Sequence, residues 1–508
     1  MFKLRSWRRR EVLGVACAFF LFGWRAYAES CEKLAGLKLP DTTITVAKIE
    51  TRETARTLEN GTPGAPLMKL PEFCRVAGTI SPVKDSLIGF EVWMPVTGWN
   101  HRLMAVGNGG FSGAPWVRFM GGALRNGYAT AGTDTGHKGE VGDASFALGH
   151  PEKVVDFGYR SVHQTTLKAK AIIEAFYGAL ATKAYWDGCS SGGKEGLMEA
   201  QRYPADYDGI IAGAPANNWE RLSASGVWIG QATHATAASY LPHDKLVILH
   251  EAALNACGAR DGVIGDPFGC HFDPAAVLCK GKETASCLSR EQVDAARKIY
   301  AGPVNPRTHE KIFPGLEPGS ELGWGSFGEP PEPPITASHF KYIVFQDPKW
   351  DYRSFNFDSD LARGEKVDGG TLTANDPDLR PFFERGGKLI LYHGLSDSLI
   401  APRNTIAYYN DVVKTTGALA ADSMRLYLIA GMNHCFGGAG LTDFDMEIPL
   451  VGWVEDGKMP TAVPAAHFPD GPPLRPDRTG ALCPYPEVAK YKGTGGTNDA
   501  TSDLCAKP

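Results

Sequence analysis

Three residue types that together activate a hydroxyl group occur in separate parts of this chain, each after an apolar, strand-like stretch. They are Ser190, within the turn Gly188-Cys189-Ser190-Ser191-Gly192, then Asp397 and His434. A serine hydroxyl becomes a strong nucleophile when an imidazole takes its proton and a carboxylate holds that imidazole in the right tautomer. The sequence therefore predicts Ser190 as nucleophile, His434 as base and Asp397 as the orienting carboxylate.

The turn around Ser190 has the glycine spacing of a tight strand-to-helix connection. The stretch 183–186 is short and aromatic, as in a buried strand, and 194–202 has the composition of a helix. Glycines at 188 and 192 suit so sharp a turn because side chains there would collide. The free N–H groups of the helix would face the negative charge that develops on a substrate. Because the chain contains 59 glycines, this motif alone could be an ordinary turn. Its interpretation as the site of the nucleophile depends on Asp397 and His434.

Strands and helices alternate around these residues. Predicted strands cover 101–106, 128–132, 183–186, 207–213, 387–394 and 424–429, and an amphipathic helix covers 158–178. Apolar strands joined by helices predict a mostly parallel sheet with helices on both faces. The order serine, aspartate, histidine after strand ends places the chain in the α/β class, with the α/β-hydrolase fold. In that fold the glycine-rich stretch 107–111 forms an oxyanion-binding loop.

The alternation stops between residues 216 and 376. This segment contains four cysteines, a proline-rich run at 329–334 and scattered aromatic residues. We expect a large lid domain at 216–376, inserted into a catalytic domain that comprises 29–215 and 377–508.

Residues 1–28 have the pattern of a signal peptide. Basic residues precede an apolar stretch at 12–22, and Ala26-Tyr27-Ala28 fits a cleavage site. Arg9-Arg10 also fits a twin-arginine signal, so both export routes stay open. No other run is long and apolar enough to span a bilayer. We expect a periplasmic or secreted protein that has no membrane association after cleavage.

Cysteine spacing predicts a set of disulfides. Of the 11 cysteines, Cys17 lies in the signal segment, which leaves an even number in an oxidising compartment. Short spacing favours Cys257–Cys270, Cys279–Cys287 and Cys483–Cys505, and leaves Cys31, Cys74, Cys189 and Cys435. Cys189 precedes the candidate nucleophile and Cys435 follows the candidate base. If Ser190 and His434 are hydrogen-bonded, these cysteines lie within the roughly 7 Å that a disulfide requires.

The motifs of this chain resemble those of the tannase and feruloyl esterase family of exported α/β-hydrolases. The family's Cys-Ser, Asp and His-Cys motifs correspond to Cys189-Ser190, Asp397 and His434-Cys435. Further matches are Asn108-Gly109-Gly110-Phe111, Tyr207-Asp208-Gly209-Ile210, Asp376-Pro377-Asp378-Leu379, Gly386-Gly387-Lys388-Leu389-Ile390 and Cys483-Pro484-Tyr485-Pro486. The resemblance implies the disulfides Cys189–Cys435 and Cys31–Cys74 and a lid that shapes the acyl pocket. It also implies oxyanion donation by the backbone N–H groups of Ser191 and of Gly109 or Gly110.

Lids of this family often carry a calcium-binding loop, and the corresponding stretch here, 257–266, is shortened. Asp261, Asp266 and the carbonyl group of Val263 are candidate calcium ligands. With only two carboxylates and Arg260 adjacent, a calcium-free turn held by Cys257–Cys270 is an equal alternative. No cofactor is expected for catalysis.

Together these observations predict an exported serine esterase. The resemblance implies a small aromatic ester as substrate, such as a plant-derived phenolic ester. Candidate walls for a flat acyl group are Trp324, Phe327, Trp350 and Tyr352, with the lid core as the alternative location of each. A tannase or a terephthalate-type monoester hydrolase would share the catalytic residues, and a non-catalytic binding protein is the alternative from another class. The net charge of −5 gives no indication of nucleic-acid binding.

Overall fold

The computed structural model describes residues 30–51, 70–327, 336–469, 471, 475–496 and 500–507. The predicted signal peptide (1–28) and the proline-rich run (329–334) lie outside these residues. Within the described ranges, no helix combines the length and the apolar character needed to cross a bilayer.

The central sheet has nine strands in the described part of the chain. They are β1 (Thr42–Glu50), β2 (Phe73–Ile80), β3 (Ile88–Pro95), β4 (Arg102–Val106), β5 (Ala129–Thr133), β6 (Lys183–Cys189), β7 (Gly209–Gly213), β8 (Lys388–Gly394) and β9 (Met424–Ile429). Their order across the sheet is β1-β2-β3-β5-β4-β6-β7-β8-β9. The neighbouring pairs β1–β2, β2–β3 and β3–β5 are antiparallel. The remaining pairs, β5–β4, β4–β6, β6–β7, β7–β8 and β8–β9, are parallel. The predicted mostly parallel sheet is confirmed.

The described chain also forms helices, some of which lie on the two faces of this sheet, as predicted. They are α1 (Val117–Arg125), α2 (Pro151–Val155), α3 (Ser161–Tyr177), α4 (Ser191–Arg202), α5 (Trp219–Thr233), α6 (His243–Ala256), α7 (Arg290–Ala301), α8 (Ala337–His339), α9 (Ser359–Asp368), α10 (Arg380–Glu384), α11 (Pro402–Thr416), α12 (Ala418–Ser423) and α13 (Glu447–Asp456). Ile172 of α3, Leu197 of α4 and Val412 of α11 pack on one face. Leu450 and Trp453 of α13 pack on the other.

Burial of the parallel strands follows from this arrangement. All five residues of β5 and all five of β7 are buried. Strands covered on both faces carry continuous apolar or small residues instead of alternating ones. Two smaller sheets complete the described chain, formed by β10 (Asp443–Phe444), β11 (Val463–His467) and β12 (Arg478–Leu482), and by β13 (Val488–Tyr491) and β14 (Asp503–Ala506).

The chain between β7 and β8 contributes no strand to the central sheet within its described residues. Its helices α5 to α9 bury apolar side chains, among them Leu249, Val293, Ile299 and Leu361, in a cluster separate from those on the two sheet faces, whereas Phe382 and Phe383 of α10 belong to the cluster on one sheet face. The same cluster also includes Phe111, Phe157 and Ile400 from outside 216–376, and the predicted role of this segment as a lid is taken up below.

Five disulfides join the cysteines of the described chain in the predicted pairs. They are Cys31–Cys74, Cys189–Cys435, Cys257–Cys270, Cys279–Cys287 and Cys483–Cys505. Four of them close loops of 8 to 43 residues, whereas Cys189–Cys435 connects positions 246 residues apart.

Candidate active site

Ser190 lies at the junction of β6 and α4, in a backbone conformation that few residues adopt. Its φ is 64° and its ψ is −121°, a strained combination for a residue with a side chain. The surrounding turn holds it there, since Ser190 N–H donates to the Gly213 carbonyl at 2.9 Å. A Cβ atom at Gly188 would lie 2.4 Å from the Gly192 oxygen. The two backbone segments approach so closely that only glycine fits at position 188, as the sequence predicted.

His434 and Asp397 form a hydrogen-bonded pair at the ends of β9 and β8. His434 Nδ1–H donates to Asp397 Oδ2 at 2.7 Å. The other carboxylate oxygen accepts the backbone N–H groups of Leu399 and Ile400 at 2.8 and 2.9 Å. His393 Nε2–H also donates to Oδ2, at 3.1 Å. Asp397 is completely buried, and its carboxylate is held by donors on every side.

These contacts determine the charge of Asp397. Burial by itself would raise the pKa of this carboxyl group, but the attraction of His434 and the hydrogen bonds from His393 and His434 outweigh burial and hold the pKa well below its usual range. The carboxylate is therefore ionised at neutral pH. It keeps the proton of His434 on Nδ1, which leaves Nε2 free to accept another proton.

Ser190 and His434 meet at one cavity. Both line a space of about 550 Å³, and the disulfide between their neighbours, Cys189 and Cys435, brings the cysteine Cα atoms within 5.9 Å. Among the described contacts, the His434 ring is hydrogen-bonded to Asp397, and no hydrogen bond joins the ring directly to Ser190 Oγ. Such catalytic hydrogen bonds are often long before substrate binds.

The predicted oxyanion donors line the same cavity. Gly109 and Gly110 follow β4, which is paired with β6, and Ser191 is the first residue of α4, so its N–H has no acceptor within the helix. Two contacts hold the loop beside the turn. Gly192 N–H donates to the Asn108 carbonyl at 2.8 Å, and Ser191 Oγ donates to the Gly110 carbonyl at 2.9 Å.

Glu195 contributes to this arrangement and was missed by sequence reasoning. Its Oε2 accepts the N–H of Asn108 at 3.0 Å, which ties α4 to the oxyanion loop. Burial raises the pKa of Glu195 to about 7 and lowers the pKa of its neighbour Lys194 to about 8. An acidic residue in the second turn after the nucleophile, close to the glycines of the turn, was the available signal.

The cavity wall is mainly aromatic and aliphatic. Its large apolar members are Phe111, Trp116, Phe119, Trp219, Leu222, Leu399, Ile400, Phe436 and Phe444. Trp116 stacks on Phe119 with ring centroids 5.3 Å apart, and Phe436, directly after Cys435, is 67% exposed at the cavity. Among the described residues that line the cavity, none is lysine or arginine.

The aromatic residues predicted as pocket walls lie elsewhere. Trp324 and Tyr352 are buried in the apolar cluster of the 216–376 segment, and Trp350 packs against that cluster. Tyr352 also bonds His234 through its hydroxyl group, at 2.7 Å. Phe327 ends a short 3-10 helix, and its side chain is outside the described part. The segment needs a core of its own, which accounts for the described rings and corrects their assignment to the pocket.

The shortened loop does not assemble the predicted calcium ligands. The carbonyl oxygen of Val263 accepts the N–H of Arg260 at 3.0 Å, and Asp266 Oδ1 accepts the N–H groups of Phe268 and Gly269. Because those oxygen atoms are already engaged and Asp261 is exposed, the residues present do not fit a calcium site.

Elsewhere among the described residues, one histidine and two carboxylates lie close enough together to be considered as metal ligands. The ligand atoms of His163, Glu199 and Asp206 lie within 4.8 Å of one another. However, His163 Nδ1 already bonds Asp206 Oδ2 at 2.6 Å. That contact is a hydrogen bond and not the spacing of two ligands around an ion.

The strand order and the turn after β6 are those of an α/β-hydrolase. Comparison with known proteins defines the family. Residues 74–506 match the family described as tannase and feruloyl esterase, and the chain belongs to this family. It is thus a carboxylic ester hydrolase, and its substrate is a small-molecule ester.

Three relatives illustrate the similarity. An uncharacterised esterase of Xanthomonas campestris is 37% identical, over 94% of this chain and 91% of its own length. The mono(2-hydroxyethyl) terephthalate hydrolase of Piscinibacter sakaiensis is 34% identical, over 86% and 85%. The crystal structure of feruloyl esterase B from Aspergillus oryzae superposes with a TM-score of 0.86 at 26% identity, over 94% of this chain and 100% of that one.

Proposed function

We propose that this protein hydrolyses esters of aromatic acids through an acyl-enzyme formed on Ser190. His434 takes the proton of Ser190 Oγ as that oxygen attacks the ester carbonyl carbon, and Asp397 stabilises the resulting imidazolium. His434 then gives the proton to the departing alcohol. The observation that carries the proposal is the 2.7 Å hydrogen bond from His434 to Asp397, at the rim of the cavity that Ser190 also lines.

Backbone N–H groups complete the mechanism. The tetrahedral intermediate places a negative oxygen near the N–H groups of Ser191 and of Gly109 or Gly110, and fixed donors of this kind lower the barrier of acyl transfer. A water molecule, deprotonated by His434, then attacks the acyl-enzyme and releases the acid. No step requires a cofactor.

The cavity favours a flat and uncharged acyl group. Its volume of about 550 Å³ and its aromatic lining suit a single aromatic ring with a short linker. The terephthalate monoester cleaved by the Piscinibacter relative carries a free carboxylate, which would find no lysine or arginine among the described lining residues. We therefore favour phenolic esters, of the feruloyl or galloyl kind, over a terephthalate monoester.

The nucleophile is tested by covalent labelling. A fluorophosphonate probe should modify Ser190, detected by mass spectrometry of the labelled peptide, and the Ser190→Ala variant should give no adduct. Labelling at another serine, or an unlabelled wild-type protein of correct fold, would favour the non-catalytic binding protein instead.

The substrate class is tested with a panel of esters. We expect hydrolysis of methyl ferulate and methyl gallate and a lower kcat/KM for mono(2-hydroxyethyl) terephthalate, with Ser190→Ala as the inactive control. Higher kcat/KM on a gallotannin than on methyl ferulate would assign the protein to the tannases. Preference for the terephthalate monoester would refute the argument from cavity charge.

We further propose that residues 216–376 act as a lid on the catalytic domain formed by 29–215 and 377–508. Support comes from the apolar cluster that this segment forms together with Phe111, Phe157 and Ile400 of the catalytic domain. Trp219, Leu222 and Ser223 of α5 line one side of the cavity. Exchange of Leu222 for a smaller residue should change the KM for bulky acyl groups more than for acetyl esters.

Export is proposed on two grounds. The pattern of residues 1–28 is that of a signal peptide, and disulfides persist in oxidising compartments such as the periplasm or the exterior of the cell. N-terminal sequencing of the mature protein should begin at Glu29, and a first residue upstream of Ala26 would contradict the cleavage site.

A further inference from the structure

Two polar side chains in the apolar cavity take no part in the mechanism above. They are Asp187, near the end of β6, and Tyr392, in β8. Tyr392 reaches across the intervening strand because Gly213 has no side chain. A Cβ atom there would lie 2.4 Å from the Tyr392 hydroxyl oxygen. The open space over Gly213 thus lets the phenol lie toward the strand that carries Asp187.

Neither polar group has a hydrogen-bond partner in the part of the chain that the structure describes. The charged groups that act on Asp187 are Glu447, at the start of α13, and Asp445, just before it, and both are acidic. Burial, together with these two charges, raises the pKa of Asp187 to about 7. A carboxyl group that lacks donors in a largely apolar site gains from any ligand that brings one.

The chemistry of the missing partner follows from these surroundings. A carboxylate ligand would meet Asp187, on which Glu447 and Asp445 act from outside the cavity lining, and no lysine or arginine among the described lining residues. A hydrogen-bond donor without charge, such as a hydroxyl group, matches both an accepting carboxylate and a phenol that can donate or accept.

We propose that Asp187, assisted by Tyr392, binds a hydroxyl group of the ester substrate and so determines the preference for hydroxyl-bearing esters. This inference rests on the proposed esterase function and adds the group that selects among its substrates. The hydroxyl belongs either to the aromatic acid, as a phenol, or to the alcohol. In both cases Asp187 accepts its hydrogen bond, and the ester carbonyl lies at Ser190.

Three esters with the same cinnamoyl framework separate these sources. Methyl cinnamate has no hydroxyl group, methyl 4-hydroxycinnamate has one on the acid, and 2-hydroxyethyl cinnamate has one on the alcohol. For each enzyme the readout is the ratio of kcat/KM for a hydroxylated ester to that for methyl cinnamate. A ratio cancels general effects of a substitution on folding or on the chemical step.

We expect the wild-type ratio to exceed 1 for one hydroxylated ester and to fall about 10- to 100-fold in Asp187→Ala, the range for a lost hydrogen bond to a charged group. The ratio for Asp187→Asn, which still offers an acceptor, should lie between those of the wild type and Asp187→Ala. Tyr392→Phe should lower the ratio less than Asp187→Ala does. Asp456→Asn, a change of the same type at an exposed residue of α13, should keep the wild-type ratio.

The ester whose ratio falls identifies which part of the substrate faces Asp187. Unchanged ratios for both hydroxylated esters in a folded Asp187→Ala protein would overturn the inference while the esterase function stands. Absence of Ser190-dependent hydrolysis of all three esters by the wild type would instead overturn the proposed function.

Discussion

At the scale of single residues, Asp397 controls what His434 can do. Its carboxylate accepts four hydrogen bonds, two from histidine rings and two from backbone N–H groups, and none of its oxygen atoms is exposed to solvent. An amide at this position would keep the volume but would present an N–H group to the ring, which favours the wrong tautomer.

We therefore expect Asp397→Asn to lower kcat about 10⁴-fold with little change in KM. The measurement is steady-state hydrolysis of methyl ferulate, with circular dichroism to verify folding. A loss below tenfold would show that His434 does not depend on this carboxylate.

Glu195 gives a pH-dependent prediction at the same scale. The pKa of its folded form is about 7, whereas an unfolded glutamate has a pKa of about 4.3. Between these values the folded state keeps a proton that the unfolded state releases, so stability falls as pH rises through this window. Glu195→Gln, which retains an acceptor for Asn108 N–H, removes this dependence.

Melting temperatures measured from pH 4.5 to 8 should show the Glu195→Gln protein gaining on the wild type up to about pH 7, by roughly 3 kcal/mol in free energy of unfolding. The exposed exchange Glu251→Gln serves as the control. A constant difference across this range would contradict the buried, protonated carboxyl group.

At the scale of elements, the turn after β6 and the loop after β9 are joined covalently. The Cys189–Cys435 disulfide restrains the loop that carries His434, and correct mutual placement of reacting groups accounts for a large part of enzymatic rates. The disulfide should therefore contribute to activity and not only to stability.

The double variant Cys189→Ala/Cys435→Ala should lose activity about 10- to 100-fold, because a displacement of about 1 Å can have this effect. Its matched control is Cys279→Ala/Cys287→Ala, which removes a disulfide that closes a short loop in the 216–376 segment and should keep kcat. Mild reduction of the wild type should reproduce the loss. Full activity with Cys189 and Cys435 demonstrably reduced would refute this role.

At the scale of the whole molecule, the loop at 257–270 is closed by the Cys257–Cys270 disulfide. The engaged oxygen atoms of Val263 and Asp266 lead us to expect that EDTA leaves the melting temperature unchanged and that added calcium raises it by no more than 1–2 °C. A fall in melting temperature with EDTA, restored by calcium, would reinstate the calcium site.

Much of the fold was readable from the sequence because local patterns determine it. The strand predicted at 424–429 has these bounds in the structure, and the glycine turn at Ser190 forms as expected. Helix α3 instead continues from a π-helical turn at Asp156–Arg160, which apolar periodicity does not reveal.

The cavity wall was not readable because it depends on contacts between distant segments. Trp116 follows the oxyanion loop, Trp219 begins α5, and Phe436 follows Cys435. Spacing within one segment cannot indicate that these rings converge. Trp324 and Tyr352 are instead buried in the apolar cluster of the 216–376 segment, and Trp350 packs against it, since any large inserted segment must bury apolar surface to be stable.

The pairing of Cys189 with Cys435 has a consequence for how the protein matures. Four cysteines, forming two complete pairs, lie between these positions. An oxidase that links cysteines in their order of emergence from a translocation channel would join Cys189 to Cys257. Native enzyme then requires reshuffling through mixed disulfides. Hosts that supply a disulfide isomerase should accordingly yield more active protein per molecule synthesised than hosts that supply an oxidase alone.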